Sequence, residues 1–225
     1  MIALVDIDGT LLHGRPVAHG LGLLLALRDV YGVDAGEADL IAVSPGGRTD
    51  LEIGLRMLAA AGVPEADAVA GLGEWCERTV ARYLEIAGDH PAPSPAPDAR
   101  DAMEALAAAG VATALVTGNL REIAHHKLEL AGLGGLFRRG EGGYGGDAVE
   151  RAEVVRIALA RAGADPADGV IIGDTPRDIA AARGAGCRVV AVATGTFAAD
   201  DLRGADAVAA NLIEAARRVI DPEPA

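Results

Sequence analysis

The sequence predicts an α/β fold: a doubly wound parallel sheet with an α-helical cap inserted after the first strand. Three observations predict it. Short apolar runs end in acidic or turn-forming residues, the pattern of strands buried on both faces. From residue 98 onward, helical patterns alternate with those runs, and each stops at a glycine. Residues 16–88 break the alternation, with three successive helical patterns and no buried strand between them.

The first strand is the run Ile2 to Ile7, closed by Asp8-Gly9-Thr10. Leu21 to Val30, Thr49 to Ala61 and Pro64 to Ala87 then read as the helices of the insert, with Trp75 and Tyr83 in its core. Pro91 to Pro97 (PAPSPAP) predicts a semi-rigid extended hinge. Beyond it, helices are expected over Asp98 to Ala109, Asn119 to Ala131 and Ala148 to Ala162. Strands are expected over Val111 to Val116, Val170 to Ile172 and Val189 to Ala193, and the Gly-rich stretch Gly132 to Gly146 as a flexible loop. The expected division is a core of residues 1–15 and 89–225 and a cap of residues 16–88.

With 225 residues, 51% apolar and 24% charged, the composition is globular and excludes disorder and collagen. The net charge of −13 repels polyanions and anionic membrane surfaces, so nucleic acid is not an expected partner. Apolar stretches such as Leu21 to Leu27 fall well short of the ~20 residues a membrane helix needs. The opening MIALVDIDGTLL lacks a basic region and does not read as a secretory signal, which predicts a cytoplasmic protein. Cys76 and Cys187 form no CxxC and are expected to be buried thiols.

In sheets of this kind ligands bind beyond the carboxyl ends of the strands. Asp6, Asp8, Thr117 and Asp174 all end predicted strands, so the fold collects them at one edge. Asp6 and Asp8 repel each other. A divalent cation, a proton, or a phosphoryl group held by cations relieves that cost. A single Asp-Gly would be only a turn. At Gly173 to Asp178, Thr175 and Asp178 have capping-box spacing with Pro176 at the first helical position. Asp178 therefore caps the helix or binds a metal, and the sequence leaves both roles open; capping does not require Asp174.

Lys127 is the only lysine, and it shares a helix face with Ile123, Ala124 and Ala131. It either snorkels from the edge of that stripe or holds an ammonium over the sheet edge, where it can neutralise a phosphoryl oxygen and a carboxylate together. Its direction is expected to be fixed by a helix starting at Asn119 with Glu122 three residues on. Thr117 and Gly118 precede that helix, and a hydroxyl with backbone N–H groups at a helix start makes a phosphate site. Arg48 lies before a Thr49–Glu52 capping box and is either a surface arginine or a contact for a carboxylate or second phosphate. His125 and His126 fall off the apolar face and are expected to be solvated. His13 and His19 flank the first hinge, within reach of a ligand.

DxDGT at Asp6 to Thr10, the strand-ending Thr117, Lys127 and GDxxxD at Gly173 to Asp178, in this order and across essentially the whole chain, resemble the haloacid dehalogenase-like hydrolase superfamily. The insert resembles the helical cap of its phosphoglycolate phosphatase-like and phosphoglucomutase-like members, set on a Rossmann-like core. The run HKLELAGL from His126 looks like the phosphatase side of that group. The resemblance implies that Asp6 is a nucleophile and Asp8 the acid and then the base. Thr117 and Lys127 would hold the phosphoryl oxygens. Apart from the resemblance, the positions of Gly118 and Asn119 at the helix start and of Arg48 in the cap make them the candidate substrate contacts. Mg²⁺ would be bound by Asp6, the Asp8 backbone carbonyl and Asp174, with Asp178 direct or through water. An acid at Asp8 implies phosphate esters, because dehalogenase members lack one. The implied activity is a Mg²⁺-dependent phosphatase acting on a small phosphorylated metabolite, phosphoglycolate or similar, through an aspartyl-phosphate. A sugar-phosphate mutase shares these residues and stands as the alternative. A phospho-accepting receiver module fits less well, since Asp174 follows Lys127 and no lysine follows Asp174.

Overall fold

The computed structural model describes residues 1–138 and 141–222. Its centre is a five-stranded sheet of β1 (Ile2–Val5), β4 (Ala112–Leu115), β5 (Gly169–Gly173), β6 (Arg188–Val192) and β7 (Ala207–Ala209). The order is β4-β1-β5-β6-β7, and every neighbouring pair is parallel. Strand β1 sits between β4 and β5, with Val5 level with both Leu115 and Ile172. Asp6, Thr117 and Asp174 thus emerge at the same end of adjacent strands.

Alternate residues of β1 face opposite sides, as the pleat requires. Ala3 and Val5 pack with α6 (Ala99–Ala108) and α10 (Leu212–Ile220). Ile2 and Leu4 pack with α8 (Arg151–Ala162) and α9 (Pro176–Ala185). The doubly wound parallel sheet is therefore present. The edge strand β7 and helix α10 add to what the sequence predicted.

Between β2 (Leu12–His13) and β3 (Ser94–Pro95) run α1 (Val17–Tyr31), α2 (Glu37–Ala42), α3 (Asp50–Ala60), α4 (Glu65–Ala70) and α5 (Leu72–Ile86). Trp75, fully buried, packs with Leu27, Met57 and Leu58 in their shared core. Tyr83 packs with Ile123 of α7 (Arg121–Leu130), where these helices meet the sheet-bearing part. The single helix expected over Pro64 to Ala87 is broken at Gly71, the boundary of α4 and α5, where the Tyr31 ring leaves no room for a side chain.

The Pro-rich return was expected as a semi-rigid extended hinge. It is extended at β3, which also pairs antiparallel with β2, so the entering and returning chains brace each other as a ribbon. The Gly132 to Gly146 stretch is likewise not simply a flexible loop, although its residues 139 and 140 lie outside the described ones. Gly142 to Gly145 are buried, Gly143 O accepts from Thr117 N at 3.0 Å, and Gly145 N donates to Asn119 O at 2.8 Å. Cys187 is buried as expected, Cys76 only half-buried, and both are free thiols. Among the described residues no helix is long and apolar enough to cross a membrane.

Candidate active site

Asp6 leaves the end of β1 and Asp174 the end of β5, while Asp178 rises from the first turn of α9. All three are buried, and each offers a carboxylate oxygen within 4.8 Å of the others. Burial pushes the Asp6 carboxyl up to about 7; Arg151 opposes this and Asp178 adds to it. Burial likewise drives Asp174 up to about 8, reinforced by Asp6 and Asp178. Such crowding is relieved by a divalent cation, which carboxylate oxygens suit. Asp178 caps the helix and also offers an oxygen to the acidic cluster, so the two roles the sequence left open do not exclude each other. Its Oδ2 accepts from Thr175 N at 3.0 Å and closes a capping box, while Oδ1 faces the cluster.

One cation already stands there. Arg151 Nη2 lies 2.9 Å from Asp6 Oδ1 and 2.6 Å from Asp178 Oδ1, and the arginine is buried. The sequence reading missed it. The signal was available: Arg151, Val154, Val155, Ala158 and Leu159 lie on one buried helix face, the same reasoning that singled out Lys127.

Asp8 has a different environment. Lys127 Nζ donates to its two oxygens at 3.0 and 2.8 Å, and Asn119 Nδ2 donates to Oδ2 at 2.9 Å. Burial raises the Asp8 carboxyl, but the Lys127 charge and these hydrogen bonds outweigh it and the net shift is downward. Lys127 is 2% exposed and so does not snorkel to solvent. Its ammonium also meets Asn119 Oδ1 at 2.6 Å and His19 Nδ1 at 3.1 Å. Three hydrogens thus serve Asp8, Asn119 and His19. A lysine ammonium only donates, so His19 Nδ1 accepts and its Nε2–H donates to Asp50 Oδ2 at 3.0 Å. Helices α1 and α3 thereby reach Asp8 through Asp50, His19 and Lys127, a chain the sequence reading did not assemble.

The turn Thr117-Gly118-Asn119 faces this pair of carboxylates. Asn119 was expected to start and cap a helix with Glu122. The helix starts at Arg121 behind Leu120, which makes no side-chain cap, and the Asn119 side chain is spent on Asp8, Lys127 and Thr117. Thr117 Oγ1 accepts from Asn119 Nδ2 at 2.6 Å, which leaves its own hydrogen to donate to a ligand. Asp50 clamps the turn: its N–H donates to Gly118 O and its Oδ2 accepts from Leu120 N, both at 2.8 Å. A side chain on Gly118 would collide with the Arg48 carbonyl, so only glycine lets α3 dock so closely.

Arg48 itself is committed. Its Nε donates to Val43 O at 3.0 Å and Ser44 O at 3.1 Å, and its Nη1 pairs with Glu52. His125 was expected in solvent; it is buried, with Nε2 2.9 Å from the Tyr144 hydroxyl, because the Gly-rich stretch folds over that face. His126 is half-buried beside the Tyr83 hydroxyl. A cavity of about 800 Å³ opens over Asp6, Asp8, Thr117 and Asp174 and extends between α1 and α2, with His13 and His19 on its wall.

A family model described as haloacid dehalogenase-like hydrolase matches residues 1–186. Pyrophosphatase PpaX of Bacillus velezensis is 32% identical over 97 residues, 41% of this chain and 44% of that protein, so the match spans less than half of either. Among solved structures, β-phosphoglucomutase of Clostridium difficile superposes with a TM-score of 0.72 at 16% identity, covering 98% of both chains. CbbY from Rhodobacter sphaeroides, in complex with phosphate, gives 0.66 at 20% identity over 95% of this chain and 96% of its own. At such identities these two likenesses carry the fold alone.

Proposed function

The chain belongs to the haloacid dehalogenase-like hydrolases, and we propose that it is a Mg²⁺-dependent phosphomonoesterase working through an aspartyl-phosphate on Asp6. The observation that carries this reading is the split environment of two carboxylates two residues apart. Asp6 sits with Asp174, Asp178 and Arg151, whereas Asp8 is held by Lys127 and Asn119. Pairs of acids whose surroundings push their proton affinities apart are suited to distinct roles.

In this reading Asp6, Asp174, Asp178 and the Asp8 backbone carbonyl would hold Mg²⁺, which supplies charge neutralisation and draws Asp6 into its ionised form. An Asp6 oxygen attacks phosphorus and the bond to the ester oxygen breaks. The leaving oxygen takes a proton from Asp8, whose hold on that proton rises when an anionic phosphoryl group lies beside it. The Asp8 carboxylate then removes a proton from water, whose oxygen attacks phosphorus and returns Asp6 as a carboxylate. Thr117 Oγ1 donates to a phosphoryl oxygen. Arg151 steadies Asp6, and Lys127 acts through Asp8 and Asn119, which its three hydrogens already engage.

Phosphate release from a panel of phosphomonoesters, measured with Mg²⁺ and with EDTA, tests the reading. Turnover that needs Mg²⁺ and disappears in Asp6→Asn supports it. Turnover retained in Asp6→Asn contradicts it.

A further inference from the structure

We propose that the alcohol released by this enzyme is uncharged and largely apolar, and carries no second anionic group. This rests on the phosphomonoesterase reading and departs from the expectation of phosphoglycolate. Two observations carry it.

The first is the wall of the cavity. Its carboxylate end lies at Asp6, Asp8 and Thr117, but the space continues to a surface made by Val17, Leu21 and Leu24 of α1, Leu40 and Ile41 of α2, and Ile53 of α3. About 800 Å³ is within the range that holds a ligand of drug size, far beyond the two-carbon body of glycolate. Filling it with hydrocarbon removes apolar surface from water on both sides.

The second is the charge inventory. Five carboxylates line the cavity against three guanidinium groups. Each of those arginines is already paired: Arg15 with Glu37, Arg48 with Glu52, and Arg151 with Asp6 and Asp178. Lys127 is likewise spent on Asp8. A carboxylate or second phosphate on the alcohol would lose water and meet a wall that is mostly hydrocarbon, cations already paired and like charge, with neutral polar groups such as His13 and Thr196 in place of a free cation. On this proposal the apolar wall takes the place of the Arg48 contact that the sequence offered for a distal anion.

The test is kcat/KM for phosphate release across methyl, propyl and pentyl phosphate, with phosphoglycolate and glucose 1,6-bisphosphate alongside. The expected result is a rise of about fourfold per added methylene until the cavity fills, with phosphoglycolate at least about tenfold below propyl phosphate. Ile41→Lys, at an exposed position on that wall, is expected to flatten the alkyl series and to raise phosphoglycolate relative to propyl phosphate. Preference for phosphoglycolate or the bisphosphate, lost in Arg15→Ala or Arg48→Ala, overturns the proposal while leaving the phosphatase reading intact. Failure of every ester to turn over overturns the phosphatase reading instead. Calorimetric binding of pentylphosphonate against phosphonoacetate then decides the pocket's preference without turnover: tighter pentylphosphonate supports it, and tighter phosphonoacetate overturns it.

Discussion

Lys127 Nζ lies 2.8 and 3.0 Å from the two carboxylate oxygens of Asp8, and its remaining hydrogens go to Asn119 Oδ1 and His19 Nδ1. The lysine therefore acts on the acid–base group, and through it on the reaction. Lys127→Met is expected to lower kcat by ~10²-fold or more, within the range for loss of general acid–base catalysis, with KM little changed. Steady-state kinetics on methyl phosphate checks this; a change in KM alone would assign the lysine to holding substrate.

Arg151 is the buried counterpart of the acidic cluster. Arg151→Met leaves Asp6 and Asp178 without their cation, and removal of one partner from a buried ion pair costs about 3–5 kcal/mol. Urea unfolding in EDTA is expected to show a loss of that order, with part of it restored by Mg²⁺. An unchanged midpoint would mean that the arginine is not offsetting those charges.

The acidic cluster also sets a pH dependence. Asp6 and Asp174 rise from 3.8 to about 7 and about 8 on folding, so between those values these two groups bind more protons in the metal-free folded chain than in the unfolded one. Their contribution to stability is full below 3.8 and lost as pH rises through 7 and 8. Because a cation competes with those protons, the rise in Tm on adding saturating Mg²⁺ is expected to be larger at pH 8 than at pH 6. Equal shifts at the two pH values would contradict the crowding of Asp6, Asp174 and Asp178.

Asp50 ties α3 to the turn at Thr117 and to His19. Asp50→Ala leaves Leu120 N and His19 Nε2 without their acceptor, at a cost of about 1–3 kcal/mol. Thermal unfolding should show that loss, and kcat should fall with it because Lys127 and Asn119 lose their backing. A lower Tm with unchanged kcat would make the clamp purely structural.

The strand ends were legible because buried parallel strands read as short apolar runs, which is how Asp6, Asp8, Thr117 and Asp174 came out of the sequence. Lys127 was legible as a lone charge on an apolar stripe. Arg151 obeys the same rule and was hidden among nineteen arginines. The double duty of Asn119, and the reach of His19 to Lys127 across 108 residues, depend on tertiary contacts that no local period records. Strand β7 is three residues long, too short for a hydrophobic pattern to stand out. The pairing of β2 with β3 was obscured by proline, which normally argues against a strand.

The most direct test of the central claim is to quench turnover with acid, reduce with borohydride and sequence the peptides by mass spectrometry. An acyl phosphate on Asp6 is reduced to homoserine at position 6, in wild type and not in Asp6→Asn, and this is the predicted result. Intact Asp6 throughout turnover, or homoserine at Asp8 in its place, would contradict it.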